Sequence, residues 1–172
     1  MLGAFGGLCF ILFNVGVFPS ALAWSLRGLG VLAFVLTLSR LRRPGALPAP
    51  RRPDAASWRT YQVSVLLMVL ALSVGARLLT LAGQAPLVVL WVVFAVGAHF
   101  YPFAQAFGAA VFRQLAFMMV GTAALFASLF ALGWEAAPAV GAVVAGAVML
   151  WYSAGLGQPP GAQPDTASGA RG

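Results

Sequence analysis

The sequence predicts an all-α fold: an integral membrane bundle of about six transmembrane helices, arranged as three tandem helical hairpins. Three observations predict it. Of the 172 residues, 62% are hydrophobic and only 8% are charged, against roughly 25% charged residues in ordinary soluble domains. Charge on that scale cannot cover a water-facing surface, so the apolar excess must face lipid. The apolar residues fall into six runs, each close to the ~20 residues that carry a helix across a ~30 Å hydrocarbon core. Short breaks that contain proline divide these runs into pairs.

The spans read as residues 2–18, 20–39, 60–82, 86–106, 108–132 and 137–156. Helices are required because lipid offers no partner to backbone N–H and C=O groups, and the alternating pattern of a barrel strand is missing. The stretch Val63 to Leu72 reads as apolar on every face. Pro19-Ser20 parts the first pair of spans, Gly83-Gln84-Ala85-Pro86 the second, and Gly133 to Pro138 the third. Proline suits the first turn of a helix, where its missing N–H has no intrahelical partner to lose. Each break is therefore expected to be a hairpin turn that leads into the next span.

The ten Lys and Arg residues, all of them Arg, are set against three acids for a net charge of +7. Six of the Arg lie in residues 40–59 with Pro44, Pro48, Pro50 and Pro53, between two apolar blocks. Nucleic-acid binders spread basic residues over a face or groove, so this placement argues for membrane orientation and for no nucleic-acid partner. Arginine near membrane ends stays on the cytoplasmic side. With both termini and loop 40–59 on the cytoplasmic side, eight Arg are inside, Arg113 and Arg171 among them, and only Arg27 and Arg77 are outside. Trp58, Tyr61, Trp151 and Tyr152 then fall at the inner interface, Trp24 and Trp134 at the outer one, as an aromatic belt requires. The tail 157–172 is rich in Gly, Pro, Ala and Ser, a composition that favours disorder. Residues 2–18 also resemble a signal h-region, with Ala21-Leu22-Ala23 as a small-x-small site; without a basic segment before the run, an uncleaved first helix is the better reading.

Ionisable groups inside a bilayer are functional suspects, because each is costly there unless paired or snorkelling. His99, the only histidine, lies in Gly97-Ala98-His99-Phe100-Tyr101-Pro102. A neutral imidazole there suits proton relay; the plainer use is an interhelical hydrogen bond to Gln105, Gln114 or a backbone carbonyl. Pro102 predicts a kink or unwinding near His99. His99, Tyr101, Gln105, Arg113 and Gln114 are expected to form a polar cluster at the inner ends of spans four and five. On the outer side Arg77 and Glu135 are expected either to pair or to leave Arg77 snorkelling to the headgroups.

Small residues recur at helical spacing in Gly3 with Gly7, Ala123 with Ala127 and Ala131, and Ala142 with Gly146. Such faces let helices approach closely. Cys9 has no second thiol, and no H-E-x-x-H, Gly-x-Ser-x-Gly, P-loop or acidic metal cluster is present, so no catalytic residue, cofactor or metal is expected.

The stretch Gly97 to Phe107, with its Gly-x-His-Phe-x-Pro core, resembles a motif of small uncharacterised multi-pass membrane proteins of bacteria. The looser similarity runs from the first helix through Asn14, Pro19-Ser20 and the Arg-rich loop to about Ser153. Within the motif Ala98, Tyr101 and Gln105 stand where the pattern has Leu, Leu and Arg. The resemblance implies the six-helix architecture and marks the His99 stretch; it implies no activity and transfers no functional residue. The expected function is that of a non-enzymatic accessory or interaction protein of the membrane, with the lipid bilayer and a membrane-protein partner or homo-oligomer as company. The alternative is a small transporter or channel with its site near His99 and Pro102.

Overall fold

The computed structural model describes residues 2–41, 54–107 and 110–156. It holds six helices: α1 (Leu2–Asn14), α2 (Ser20–Leu41), α3 (Ala55–Leu81), α4 (Val88–Phe107), α5 (Ala110–Ala131) and α6 (Ala137–Ser153). Short 3₁₀ turns, Val15–Val17 and Ala85–Leu87, lead out of α1 and into α4. No strand occurs among the described residues.

Four helical stretches are long and apolar enough to cross a membrane: Ser20–Arg40, Ala55–Leu81, Ala85–Phe107 and Ala110–Ala131. The other two, Gly3–Val17 and Ala137–Ser153, are apolar but shorter. The 17 residues of α6 rise roughly 26 Å. That helix is also the most enclosed, since it packs on α1, α2, α4 and α5; neighbouring helices take much of the place of lipid around it.

The expected loop 40–59 gives up both its ends to helix. α2 continues to Leu41, and α3 begins five residues earlier than the apolar run, at Ala55. The cause is Asp54, whose carboxylate accepts from the Ser57 backbone N–H at 2.6 Å as an N-cap and so satisfies one of the donors a helix start leaves open. That N–H, followed by the Ser57 hydroxyl, holds the Asp54 carboxyl below its ordinary value of 3.8. Hydropathy does not mark this start because the added turn, with Trp58 and Arg59, is amphiphilic. Residues 42–53, and the expected tail 157–172, lie outside the described residues. The first span likewise ends sooner than 18: the Asn14 amide donates back to the Phe10 carbonyl at 2.9 Å, and the chain tightens into its 3₁₀ turn.

Two hairpin turns are built alike. Gly83 (φ 73°) and Gly133 (φ 98°) end α3 and α5. Around the first, Gly83 N–H donates to Thr80 O and Gln84 N–H to Leu79 O; around the second, Gly133 N–H donates to Phe130 O and Trp134 N–H to Leu129 O. This paired pattern needs a left-handed residue, which glycine adopts without a Cβ clash.

The helices pack in the order α3, α4, α5, α6, α1, α2, with α4 also touching α6 and α2 touching α6. The third hairpin therefore sits between the other two. Three apolar clusters fill the interior: Val93, Leu115, Met119, Ala145 and Met149 join α4, α5 and α6; Ile11, Val15, Ala23 and Leu150 join α1, α2 and α6; Leu90, Phe126 and Ala137 close the end near the glycine turns. The stripes of small residues expected on α1 and α6 meet each other. A Cβ on Gly7 would lie 2.7 Å from the Gly146 carbonyl oxygen, and one on Gly146 would lie 2.5 Å from that of Gly7. Close backbone approach of this kind supplies the dispersion contacts that hold helices together where lipid removes the hydrophobic drive. Outward, large apolar side chains such as Leu32, Val35, Leu66, Leu70 and Leu78 are exposed. Water would not tolerate that surface; hydrocarbon does.

Candidate functional site

The polar chemistry of the interior is concentrated where α3 meets α4. Along α3, Ser57, Ser64 and Ala71 recur every seven residues, two helical turns, and so share one face. Each hydrogen-bonds to α4. The Ser57 hydroxyl donates to the Ala106 carbonyl at 2.8 Å, Ser64 Oγ and His99 Nδ1 are bonded at 2.6 Å, and the Trp91 indole N–H donates to the Ala71 carbonyl at 2.8 Å. Four residues beyond Ala71, Gly75 leaves the space that the Trp91 indole fills; a Cβ there would collide with Trp91 Nε1 and Cε2. Ser64 is buried, and is bonded to a ring whose backbone oxygen also lies 3.4 Å from its hydroxyl.

His99 is half-buried, with Tyr61, Phe100 and Phe103 around it at ring-centroid separations of 6.3, 5.8 and 6.3 Å. Its Nδ1 is taken by Ser64, so Nε2 is the ring nitrogen to which no described residue bonds. The expected partners Gln105 and Gln114 are not the ones it uses. A serine on the preceding helix takes that place, a residue that the apolar reading of Val63 to Leu72 passes over.

The five residues expected to cluster are not brought together. His99 faces α3, whereas Tyr101 is exposed and packs edge-on against Phe117 of α5 at 6.1 Å. Residues two apart on a helix point in different directions, and the separation follows from that geometry. Gln105, Arg113 and Gln114 are exposed near the facing ends of α4 and α5. Nor does α4 unwind at Pro102: the helix continues to Phe107. Arg77 and Glu135 are both exposed, and they form no ion pair among the described residues. Arg77 belongs to α3, which packs on α4, while Glu135 belongs to the turn between α5 and α6. On α2, Arg27 lies over the Trp24 ring at 5.0 Å, a cation–π contact within one helix turn.

Among the described residues, two cavities stand out on the flanks of the bundle. One, of ≈ 480 Å³, lies between α3 and α4 and includes His99, Ser64 and Pro102 in its wall. The other, of ≈ 600 Å³, lies between α2 and α6 with Ile11 of α1 at its base. Among the described residues no three His, Cys, Asp or Glu side chains converge to hold a metal. No family model matches the chain, no curated protein is similar to it, and no solved structure shares its fold at a significant level.

Proposed function

We propose that the chain is a multi-pass protein of the bacterial cytoplasmic membrane, with both termini and the Arg-rich segment 40–59 inside, that works without catalysis as an accessory or interaction protein. The observation that carries this reading is the unequal burial of the helices. α3 is the longest at 27 residues, yet only 6% of its most apolar stretch is buried. It packs along one side on α4, and Leu66, Leu70 and Val74 line its open face. A helix of that length held on one side offers a lateral surface to a second membrane protein or to another copy of this chain, by the small-residue and side-chain packing that drives association in lipid.

A photo-crosslinking residue at Leu66 or Leu70, activated in intact membranes, is expected to give one discrete protein adduct, with mass spectrometry identifying a second copy or a different protein. The same residue at Phe117, exposed on α5, is the control and should give none. Lipid adducts alone at all three positions would sink the proposal.

A second reading, a small transporter or channel with its site near His99 and Pro102, is favoured by one observation: both residues line the ≈ 480 Å³ cavity. On that reading, purified protein in liposomes carries protons, ions or small solutes in a flux that His99→Ala abolishes; absence of any His99-dependent flux removes it.

A further inference from the structure

The two flanking cavities share one chemical plan. Each is a trough with mostly apolar walls, and each carries an arginine at the end of the bundle where α2 finishes and α3 starts: Arg59 in the α3–α4 trough, Arg40 in the α2–α6 trough. Just inside each mouth stand hydroxyls, Thr60 and Ser64 in the first and Thr37 and Ser39 in the second. Three of them are already engaged, Ser64 with His99, Thr37 with the Ala33 carbonyl and Ser39 with the Leu36 carbonyl. The guanidinium is the charged group each mouth offers to a ligand, and it suits a phosphate, which it can bind with two parallel hydrogen bonds.

Length and width identify what lies below the charge. From Arg59 to Ala71 the first trough runs roughly 18 Å, and from Arg40 back to Leu26 the second runs roughly 21 Å, at 1.5 Å per residue. Half of a ~30 Å hydrocarbon core is about 15 Å, so each trough is one leaflet deep. A volume of ≈ 480 Å³ spread over ~18 Å leaves a mean cross-section of about 27 Å², and ≈ 600 Å³ over ~21 Å leaves about 29 Å². An α-helix with side chains is at least ~10 Å across, roughly 80 Å², and does not fit. A hydrocarbon chain, whose atoms meet their neighbours at about 4 Å, needs roughly 20 Å² and does.

We infer that each trough seats one anionic phospholipid of the surrounding bilayer, its phosphate on Arg59 or Arg40 and one acyl chain laid along the apolar wall. The two sites lie between different pairs of helices, α3–α4 and α2–α6. Their placement at one end of the bundle puts both lipids in the same leaflet, the one beside the Arg-rich segment, where basic groups attract anionic headgroups.

Native mass spectrometry of the full chain in mild detergent tests this, with phosphatidylglycerol or phosphatidylcholine of identical acyl chains added at equal concentration. Phosphatidylglycerol should give up to two retained adducts per chain and should exceed phosphatidylcholine about fivefold at each site. Arg59→Ala and Arg40→Ala should each remove one adduct and the double variant both, with Arg59→Lys keeping its own. Ala98→Phe, which fills the α3–α4 trough without touching a charge, should also remove one. Arg113→Ala, at the same end but outside both troughs, should keep two; an unchanged helical circular dichroism spectrum verifies that each variant is folded. Equal retention of the two lipids, a loss in Arg113→Ala as large as in Arg59→Ala, or two adducts surviving in Ala98→Phe would each overturn the inference. None of these results depends on the crosslinking outcome at Leu66.

Discussion

Gly7 and Gly146 cross with each carbonyl oxygen standing where the other residue's Cβ would be, 2.7 and 2.5 Å from those positions. Both obstructions are backbone, so neither can yield by a change of rotamer. Gly7→Leu or Gly146→Leu should destabilise the bundle by about 1–3 kcal/mol, the range for overpacking a close contact. Gly121→Ala, with nothing within 4 Å, should be neutral or stabilising by up to about 1 kcal/mol, because alanine is the better helix former. Unfolding titrations in mixed detergent micelles measure both; equal effects at Gly146 and Gly121 would show that the crossing carries no stability.

The Ser64–His99 bond lends itself to a double-mutant cycle. Ser64→Ala should lower stability by about 1 kcal/mol, and Ser64→Ala combined with His99→Ala should show a coupling of roughly 0.5–1.5 kcal/mol, as hydrogen bonds between membrane helices do. A coupling near zero would mean that the two side chains find other partners when separated.

Gly75 and Trp91 form a lock of a different kind. Gly75→Ala drives a methyl group into the indole and should cost about 1–3 kcal/mol while breaking the 2.8 Å bond from Trp91 Nε1 to the Ala71 carbonyl. In the Gly75→Ala background, Trp91→Leu should recover part of that loss, although alone it removes the bond. Strictly additive effects of the two substitutions on unfolding would contradict the steric account.

Acid should act on the start of α3. The folded carboxyl of Asp54 lies below its ordinary value of 3.8 because the Ser57 N–H binds its charged form. A depressed folded value means that the cap contributes above pH 3.8 and is lost as pH falls through the folded value. Amide exchange at Ser57 and Trp58 should therefore accelerate in strong acid beyond the intrinsic rate. Asp54→Asn keeps an oxygen acceptor without the titration and should flatten that dependence.

The hairpins are legible in the chain because their signals are local. Gly83 and Gly133 hold left-handed φ values and Pro86 and Pro138 follow at helix starts, so turn chemistry and hydropathy agree. What escapes is the pairing across helices. Val63 to Leu72 reads as uniformly apolar, yet Ser64 within it is the residue that binds His99; one hydroxyl hardly lowers a window average, and nothing on α3 names its partner 35 residues on. The expected group of His99, Tyr101, Gln105, Arg113 and Gln114 rests on nearness along the chain, and helical geometry sends His99 and Tyr101 to different neighbours. The start of α3 was hidden for a third reason: capping by Asp54 extends it into residues that hydropathy assigns to a loop.

The pairing of α1 with α6 also sets a timetable for biogenesis. α1 leaves the ribosome before α6, so Gly3 and Gly7 stay uncovered by Gly146 until α2 to α5 have been made. The hairpin of α5 and α6 then has to enter between two hairpins already in place. A nascent chain halted after Ala131 would present its glycine stripe to whatever insertion factor or chaperone stands beside it, and maturation ends only when Gly146 arrives to cover Gly7.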